Sequence, residues 1–466
     1  MESDRLVSEI IDYCRKAGVA ESTFGRIAVN DGKFVNRLRN GGRITTPTFE
    51  RVRAFISANP PLNHRAGRSL TLERASRILG TGAQAERTDC TARPEQDFRF
   101  FDNRQKYLLF VNTCSEKAVV AKRVAMELAN IHPRPPAVRL FDAGVGDGTV
   151  LTRVMRALHN RFPTTPCYIV GKEISVEDMR LALEKMPDRF FEHPATVLVM
   201  TNLNYLEAPW LVPSSMAAAS SLVWHEVALS GKTSHEFEDQ ITALAPFLAE
   251  NWRVNVNTAT GNAGYARPAV LVIYREDHRF LLQSVIPRRG GTMADYDLVI
   301  ASQPYRARAS IEFKAARVIA PLAKSLGPGG RLLAVHSHGD DAGLEILQGV
   351  WPGENPFQHN RHQMLKVVKE TLGGAAHGLN FNAYSDARSL FRYAMHALPS
   401  EVFAWIGTST LFAAWNAAIY VGQVEDARLQ GAIGDRRYLE VAANVLRKHG
   451  GLWFWDESYI ISRHRD

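Results

Sequence analysis

The chain has 466 residues, of which 45% are hydrophobic and 22% charged, and its formal net charge is +8. This composition is typical of a globular protein with room for two or three domains, and it excludes a fibrous or disordered chain. The residues after Met1 lack the basic stretch and apolar core of a secretory signal, and the four cysteines contain no C-x-x-C pair. We therefore expect a cytoplasmic protein without a disulfide framework or a structural zinc site.

Basic residues are concentrated near the N-terminus, where residues 26–53 hold seven of them against two acids. The periodicity of this region predicts two helices around a turn at 30–32, and the second of them covers 33–40. Its apolar positions would face inward. The outward face would carry Lys33, Asn36, Arg37 and Arg39, whose side chains are of the types that bind phosphates and base edges in DNA.

Residues 5–58 resemble the lambda-repressor-like helix-turn-helix family in pattern and spacing. The resemblance implies a small all-α domain, over residues 1–60, that contacts DNA and forms a homodimer. The alternative is a helical docking or dimerisation domain whose basic face is only solvated. Pro60-Pro61 and the glycine-rich and polar stretches that follow predict a linker over 61–102.

A glycine-rich turn stands between a short apolar strand that ends at residue 141 and a helical pattern that begins at residue 150. Gly144, Gly146 and Gly148 occupy every second position behind Asp142. Such a turn lets the backbone approach a bound nucleotide where any Cβ would clash. The spacing differs from the G-x-G-x-x-G of dinucleotide sites, although a Rossmann dehydrogenase is the main structural alternative.

In this turn the chain resembles class I S-adenosylmethionine-dependent methyltransferases. The resemblance implies an α/β fold over residues 103–466, with a Rossmann-like seven-stranded sheet and helices on both faces. It also implies S-adenosylmethionine as the cofactor. The glycine turn would contact the methionine part and Asp142 its ammonium group, while Glu173, after the second strand, would accept the ribose hydroxyls. Asn202, after the third strand, would lie near the adenine amino group.

The methyl acceptor is expected after the fourth strand, because ligands bind outside the carboxyl ends of parallel strands. Residues 296–301 predict this strand, and the loop Ser302-Gln303-Pro304-Tyr305 follows it. The loop resembles the Ser/Asn/Asp-Pro-Pro-Tyr motif of amino-group methyltransferases, which implies that Ser302 and a backbone carbonyl hold the target amine while Pro304 and Tyr305 complete the site. Gln303 replaces the first proline, and we expect this to make the loop less rigid. A strand-ending turn without a catalytic role is the alternative.

About 85 residues separate the third strand from the fourth, so we predict an insertion over about 205–295 that contains a hairpin of 269–273 and 279–285. A second register would make 221–227 the fourth strand. We also predict one long helix over 103–130 that would cover the cofactor, a closing hairpin around Asp456-Glu457, and a buried rather than membrane-spanning helix within 402–424.

The histidines lack the H-E-x-x-H spacing of a zinc site, so no metal is predicted. Two functions fit these patterns. In the first, the chain transfers a methyl group from S-adenosylmethionine to a nitrogen or oxygen nucleophile of an acceptor that the sequence does not name, with an amino nitrogen favoured, and its N-terminal domain recruits it to DNA or regulates it. In the second, the chain is a DNA-binding transcriptional regulator that uses the same fold as a cofactor sensor. Neither function requires a membrane.

Overall fold

The computed structural model describes residues 2–17, 21–29, 31–40, 42, 44–58, 104–256, 263–291, 294–397, 406–434 and 437–465. These residues belong to two compact units that lie on either side of 59–103 in the chain. The linker predicted over 61–102 is outside the described residues.

The first unit is a small helical bundle. Its helices are α1 (Glu2–Ala17), α2 (Glu21–Val29), α3 (Phe34–Arg39) and α4 (Thr46–Ala58). On α3, Phe34, Val35 and Leu38 are buried in the core of this unit, as the predicted inward face requires. The turn before α3 brings the Asp31 carbonyl so close to Gly25 that a Cβ there would lie 2.4 Å from the carbonyl oxygen.

The second unit is a mixed α/β domain around one central, mostly parallel sheet. Its described strands are β1 (Val138–Asp142), β2 (Cys167–Lys172), β3 (Thr196–Thr201), β4 (Val223–Leu229), β5 (Val254–Val256), β6 (Ala263–Tyr265), β7 (Ala269–Arg275), β8 (Tyr296–Ser302), β9 (Leu326–Ser337), β10 (Leu379–Asn382), β11 (Leu390–Ala394) and β12 (Trp453–Arg463). The ten-stranded sheet has the order β10-β12-β9-β8-β1-β2-β3-β7-β4, with β11 also paired to β12. Strands β5 and β6 form a separate pair.

Helices cover both faces of this sheet. The first four are α5 (Arg104–Thr113), α6 (Glu116–Ala125), α7 (Thr149–Arg161) and α8 (Val176–Leu183). The others are Pro187–Glu192, Met216–Ser221, Ser234–Thr242, Ala245–Asn251, Ile311–Lys314, Ala320–Lys324, Ala342–Val350, Arg361–Leu372, Asp386–Ser389, Thr408–Val421, Asp426–Ile433 and Arg437–His449. A π-helical turn, Ala315–Ile319, joins two of them, and 3-10 turns occur at Met126–Ala129, Ala208–Trp210, Glu276–His278 and Gly373–Gly378.

The strand at the centre of the sheet is β1, which lies between β2 and β8 and is parallel to both. The chain builds β2 and β3 on one side of β1 and then returns to its other side with β8. This reversal creates a switch point at the carboxyl ends of β1 and β8, where ligands bind in open α/β sheets. The predicted fourth strand is therefore β8, and the second register is wrong because β4 pairs with β7 at the far edge.

The sheet is wider than the predicted seven strands because the insertion adds β7 and β4 beside β3. All seven residues of β7 are buried, so this strand needs a partner on each side, which β3 and β4 supply. The predicted hairpin is wrong, since residues 279–285 form turns instead of a strand.

Two other predicted elements differ from the structure. The long helix predicted over 103–130 is interrupted at Ser115, whose backbone N–H donates to the Ala394 carbonyl while Ala394 N donates to Ser115 Oγ. The closing hairpin is one continuous strand, β12, because Asp456 and Glu457 find buried partners in Gln303 and Arg361. Within 402–424 the helix is Thr408–Val421, and none of the described helices is long and apolar enough to cross a bilayer.

Candidate active site

A cavity of about 940 Å³ lies at the switch point of the sheet, and all of its walls belong to the second unit. Its volume is at the upper end of the range for ligand pockets, which leaves room for two ligands. Seven of the residues predicted from sequence line it, namely Gly144, Gly146, Glu173, Asn202, Ser302, Pro304 and Tyr305. The structure thus brings most of the predicted cofactor and acceptor positions together, whereas Asp142 and Gly148 are buried and do not line the cavity.

The three glycines of the turn have different structural roles. A Cβ on Gly144 would meet no atom within 4 Å, so this glycine leaves open space beside the cavity. Gly146 has φ +54°, and a Cβ there would lie 2.7 Å from the Tyr107 hydroxyl. Gly148 has φ +81° and packs against Ala182, whose Cα would be 2.7 Å from an added Cβ. Gly144 keeps the cavity open, whereas the other two permit the turn itself.

Glu173 is held at the end of β2 by three backbone N–H groups. Its Oε1 accepts from Ile174 and Ser175 at 2.8 and 2.9 Å, and its Oε2 accepts from Gly146 at 2.8 Å. A carboxylate has about four acceptor positions, so one is left for a ligand. These bonds also tie the end of β2 to the glycine turn.

Buried carboxyl oxygens without a hydrogen bond surround the turn. Asp142 is buried, its Oδ1 accepts from Gly144 N at 3.1 Å, and its Oδ2 has no hydrogen-bond partner among the described residues. Burial, with the charge of Glu173, raises the pKa of Asp142 to about 7. Among the described residues Glu116 Oε2, which forms an ion pair with Lys117, and Asp178 Oδ1 are also buried without a hydrogen bond, and burial raises the pKa of Asp178 to about 7. Such oxygens fit a cationic ligand, as the ammonium group and sulfonium of S-adenosylmethionine require.

The side chain of Asn202 is already hydrogen-bonded within the fold. Its amide nitrogen donates to the carbonyls of Asn251 and Arg267, and its Oδ1 accepts from Ala269 N at 2.8 Å. One lone pair of Oδ1 is left for the predicted adenine contact. Asn204 also lines the cavity and is exposed, and among its described bonds Oδ1 accepts from Leu206 N. Sequence reasoning passed over Asn204, although it stands only two positions further along the same strand exit.

The loop after β8 is held by Gln303. This residue has φ +48°, and its amide donates to Ser337 Oγ and to Asp456 Oδ1, both at 3.1 Å, while its Oε1 accepts from Ser337 N. Ser302 Oγ is buried without a partner among the described residues. The replacement of the first proline therefore does not loosen the loop as predicted, because side-chain hydrogen bonds supply the restraint.

Tyr305 contributes its ring to the cavity wall and its hydroxyl to the core. The hydroxyl lies 2.7 Å from His336 Nδ1 and 3.3 Å from the Tyr459 hydroxyl. The Lys314 ammonium lies over the ring, 5.2 Å from its centroid, so one face of the aromatic ring is already covered.

Sequence reasoning predicted a helix that covers the cofactor, but it did not identify which residues of α5 and α6 reach the cavity. The Tyr107 hydroxyl donates to Asp147 Oδ1 and accepts from Asp147 N, both at 3.0 Å, which fixes α5 on the glycine turn. Lys117 pairs with Glu116 at 3.4 Å at the cavity wall. Burial lowers the pKa of Lys117, but the surrounding carboxylates outweigh burial and raise it overall. No motif marks these residues, because they reach the turn only through the tertiary fold.

The four residues predicted to bind DNA lie in the first unit, and all are exposed on or just before α3. Arg37 pairs with Asp31 at 2.7 Å, and Arg39 pairs with Glu21 at 2.6 Å. Exposed pairs of this kind contribute about 0–1 kcal/mol, so a phosphate could replace either carboxylate.

One buried group of metal-binding residue types lies away from the cavity, formed by His159, Cys167 and His193. The two imidazole rings are stacked, with centroids 4.6 Å apart and planes inclined by 19°. Lone pairs in nearly parallel planes do not converge on one ion, so this arrangement favours packing over metal binding.

No family model matches the chain, and no curated protein matches it. Among solved structures, it is similar to a geranyl diphosphate methyltransferase in complex with GPP and sinefungin, at 12% identity and a TM-score of 0.30 over 74% of this chain and 77% of that one. It is also similar to a candidate sarcosine dimethylglycine methyltransferase from Galdieria sulphuraria, at 10% identity and a TM-score of 0.30 over 75% and 86%. At these TM-scores the superpositions carry no argument about fold or function.

Proposed function

We propose that this protein transfers a methyl group from S-adenosylmethionine to an amino nitrogen. The observation that carries the proposal is the shared cavity, in which the glycine turn, the Glu173 carboxylate and the Ser302 loop meet at the switch point. A dinucleotide enzyme would need a G-x-G-x-x-G turn, and the spacing of Gly144, Gly146 and Gly148 is different.

The residues around the turn fit this cofactor. Glu173, whose carboxylate is oriented by three backbone N–H groups, would accept one ribose hydroxyl with its remaining acceptor position. Asp142 Oδ2, buried and unpaired among the described residues, would accept from the ammonium group. Gly144 would leave the space that the methionine part needs. When bound, S-adenosylmethionine supplies a methyl group on a sulfonium, and the bonding electron pair stays on sulfur.

The loop after β8 would hold the acceptor. Ser302 Oγ would accept an N–H hydrogen bond from the target amine and so direct the nitrogen lone pair toward the methyl group. Tyr305 would offer the uncovered side of its ring to a planar substrate. A neutral amine held in this way needs no strong general base, since its proton leaves after the new N–C bond has formed.

Calorimetric titration with S-adenosylmethionine and S-adenosylhomocysteine, with NAD as the control ligand, tests the cofactor. Micromolar binding of the first two that Asp142→Ala abolishes would support the proposal, and binding of NAD instead would overturn it. Once a substrate is found, Ser302→Ala and Tyr305→Ala should abolish turnover while cofactor binding stays nearly unchanged. Full activity of both variants would refute the role of the loop.

We also propose that the first unit recruits the enzyme to DNA through the exposed face of α3. Fluorescence anisotropy with a labelled duplex should give binding that falls with salt and that Lys33→Ala and Asn36→Ala weaken. Arg15→Ala is the matched control, because Arg15 is exposed in the same unit but lies on α1. Equal losses in all three variants would contradict the proposal. A pure cofactor sensor is not favoured, since the cavity extends past the cofactor positions to the Ser302 loop.

A further inference from the structure

Lys172 is a cation at the cavity wall that the proposed chemistry leaves unused. It is the last residue of β2, and its ammonium lies over the Tyr205 ring, 4.7 Å from the centroid. The Tyr205 hydroxyl in turn donates to the Pro304 carbonyl at 2.8 Å, so Lys172 is connected through one side chain to the loop after β8. Among the described residues no carboxylate lies within ion-pairing distance of Lys172, and burial lowers its pKa although the charge of Glu173 acts in the opposite direction.

Strand alternation separates Lys172 from the cofactor positions. Successive residues of β2 face opposite sides of the sheet, so Lys172 is on the same face as Tyr168 and Val170. Glu173 directly follows β2, and its N–H still donates to the Thr201 carbonyl of β3, so the alternation places it on the face of Ile169. Tyr168 and Val170 belong to one hydrophobic core, and Ile169 belongs to the core on the other face. Lys172 and Glu173 therefore point to opposite faces although they are neighbours in sequence.

The charges of the cavity are divided in the same way. On the face of Glu173, the core contains Met179, which follows Asp178 in the chain, and Val120, one helical turn after Glu116. Lys117 lies here in an ion pair with Glu116, and we name this the acidic half. On the face of Lys172, the core contains Val318. The cavity wall here carries Lys172, Arg306, Arg317, Tyr205, Tyr265 and Phe313, and we name this the basic half.

The carboxylate next to the basic half is held by hydrogen bonds to neutral groups. Glu207 is buried, and its Oε1 accepts from Ser214 N at 2.7 Å and Ser214 Oγ at 2.6 Å. Both of its oxygens also accept from the Tyr265 hydroxyl, at 3.2 and 3.1 Å. Glu207 is thus hydrogen-bonded within the fold, and among the described residues it makes no ion pair with Lys172.

We propose that the methyl acceptor carries a carboxylate or phosphate group next to a planar or apolar body, and that Lys172 binds this oxyanion in the basic half of the cavity. That this ligand is the methyl acceptor rests on the proposed function. The binding of an oxyanion by Lys172 does not depend on methyl transfer. An ammonium group that is partly removed from water and has no carboxylate in ion-pairing distance is stabilised by binding an anion. The neighbouring aromatic rings accommodate a flat or apolar group.

The test compares pairs of planar amines that differ only in an anionic group, by calorimetry on protein saturated with S-adenosylhomocysteine. Anthranilate against aniline probes a carboxylate, and adenosine monophosphate against adenosine probes a phosphate. In at least one pair the anionic member should bind roughly tenfold or more tightly, as expected for one charge-assisted hydrogen bond. The pair that shows the preference identifies the oxyanion. Equal affinities in both pairs, or no binding of either anion at millimolar concentration, would overturn the proposal.

Variants connect the preference to Lys172. Lys172→Met should remove the preference and Lys172→Arg should keep it. Lys366→Met, an exposed lysine on the Arg361–Leu372 helix, should change nothing. Arg317→Ala, at an exposed position of the same wall, should weaken anion binding several-fold and serves if Lys172→Met does not fold. An unchanged preference in Lys172→Met refutes the role of Lys172. Failure of the proposed function is separate, because it appears as loss of S-adenosylhomocysteine binding by the unmodified protein.

Discussion

The Tyr305 hydroxyl lies 2.7 Å from Nδ1 of His336, in a part of the core where both side chains are buried. His336 Nε2 lies 3.4 Å from Glu457 Oε2. Hydrogen bonds from His336 and His338 outweigh burial and hold the pKa of Glu457 below its usual range. An ionised Glu457 favours a hydrogen on Nε2, so Nδ1 accepts from the phenol. Tyr305 is therefore positioned by β9 and β12, which carry these two partners.

Tyr305→Phe should reduce stability because it leaves His336 Nδ1 buried without its donor. We expect a loss of about 1–3 kcal/mol in the free energy of unfolding, measured by urea denaturation. Tyr384→Phe is the control, since Tyr384 is only partly buried and its hydroxyl accepts one long bond of 3.4 Å from Arg331. A loss in Tyr305→Phe no larger than in this control would show that the hydroxyl does not anchor the ring.

Gln303→Pro should be strongly destabilising, although a proline at this position is what the amino-group methyltransferase motif contains. Gln303 has φ +48°, whereas proline requires φ near −65°. The variant would also lose the hydrogen bonds to Ser337 and Asp456. We expect a loss of about 3 kcal/mol or more in urea denaturation. Gln303→Gly, which tolerates the positive φ, should lose less, and the reverse order would contradict this account of the loop.

Gly144→Ala and Gly148→Ala should distinguish an effect on cofactor affinity from an effect on stability. At Gly144 an added methyl group meets no atom, so stability should stay equal or rise by about 0.4–1 kcal/mol while cofactor affinity falls. At Gly148 the positive φ and the contact with Ala182 should cost about 1–3 kcal/mol. Thermal unfolding and calorimetric titration with S-adenosylhomocysteine measure the two effects. If the affinity of Gly144→Ala for S-adenosylhomocysteine is undiminished, Gly144 does not contact the cofactor.

Asp142→Asn should change the pH dependence of stability. Burial raises the pKa of Asp142 to about 7, so the folded protein keeps this proton at pH values where the unfolded chain has released it. The contribution of Asp142 to stability therefore falls as pH rises from about 4 to about 7. Asparagine does not titrate, and the variant should gain stability relative to the unmodified protein over this range, by up to about 4 kcal/mol. Urea denaturation at several pH values measures this, and a constant difference would contradict the shift.

The sequence by itself determined the local features of this protein. The apolar run before Asp142, the glycine turn and the strand before Ser302 predict elements that the structure contains, because strands and tight turns depend on neighbouring residues. The buried face of α3 followed from helical periodicity in the same way.

Only the tertiary structure decided which distant segments meet. The continuous strand β12, the antiparallel β7 beside β3 and the break at Ser115 all depend on hydrogen bonds to partners far along the chain. The same holds for the Gln303 restraint, the Tyr107 contact with Asp147 and the opposite faces of Lys172 and Glu173. A buried polar group forms its hydrogen bond with whichever partner the fold brings to it, and sequence periodicity does not identify that partner.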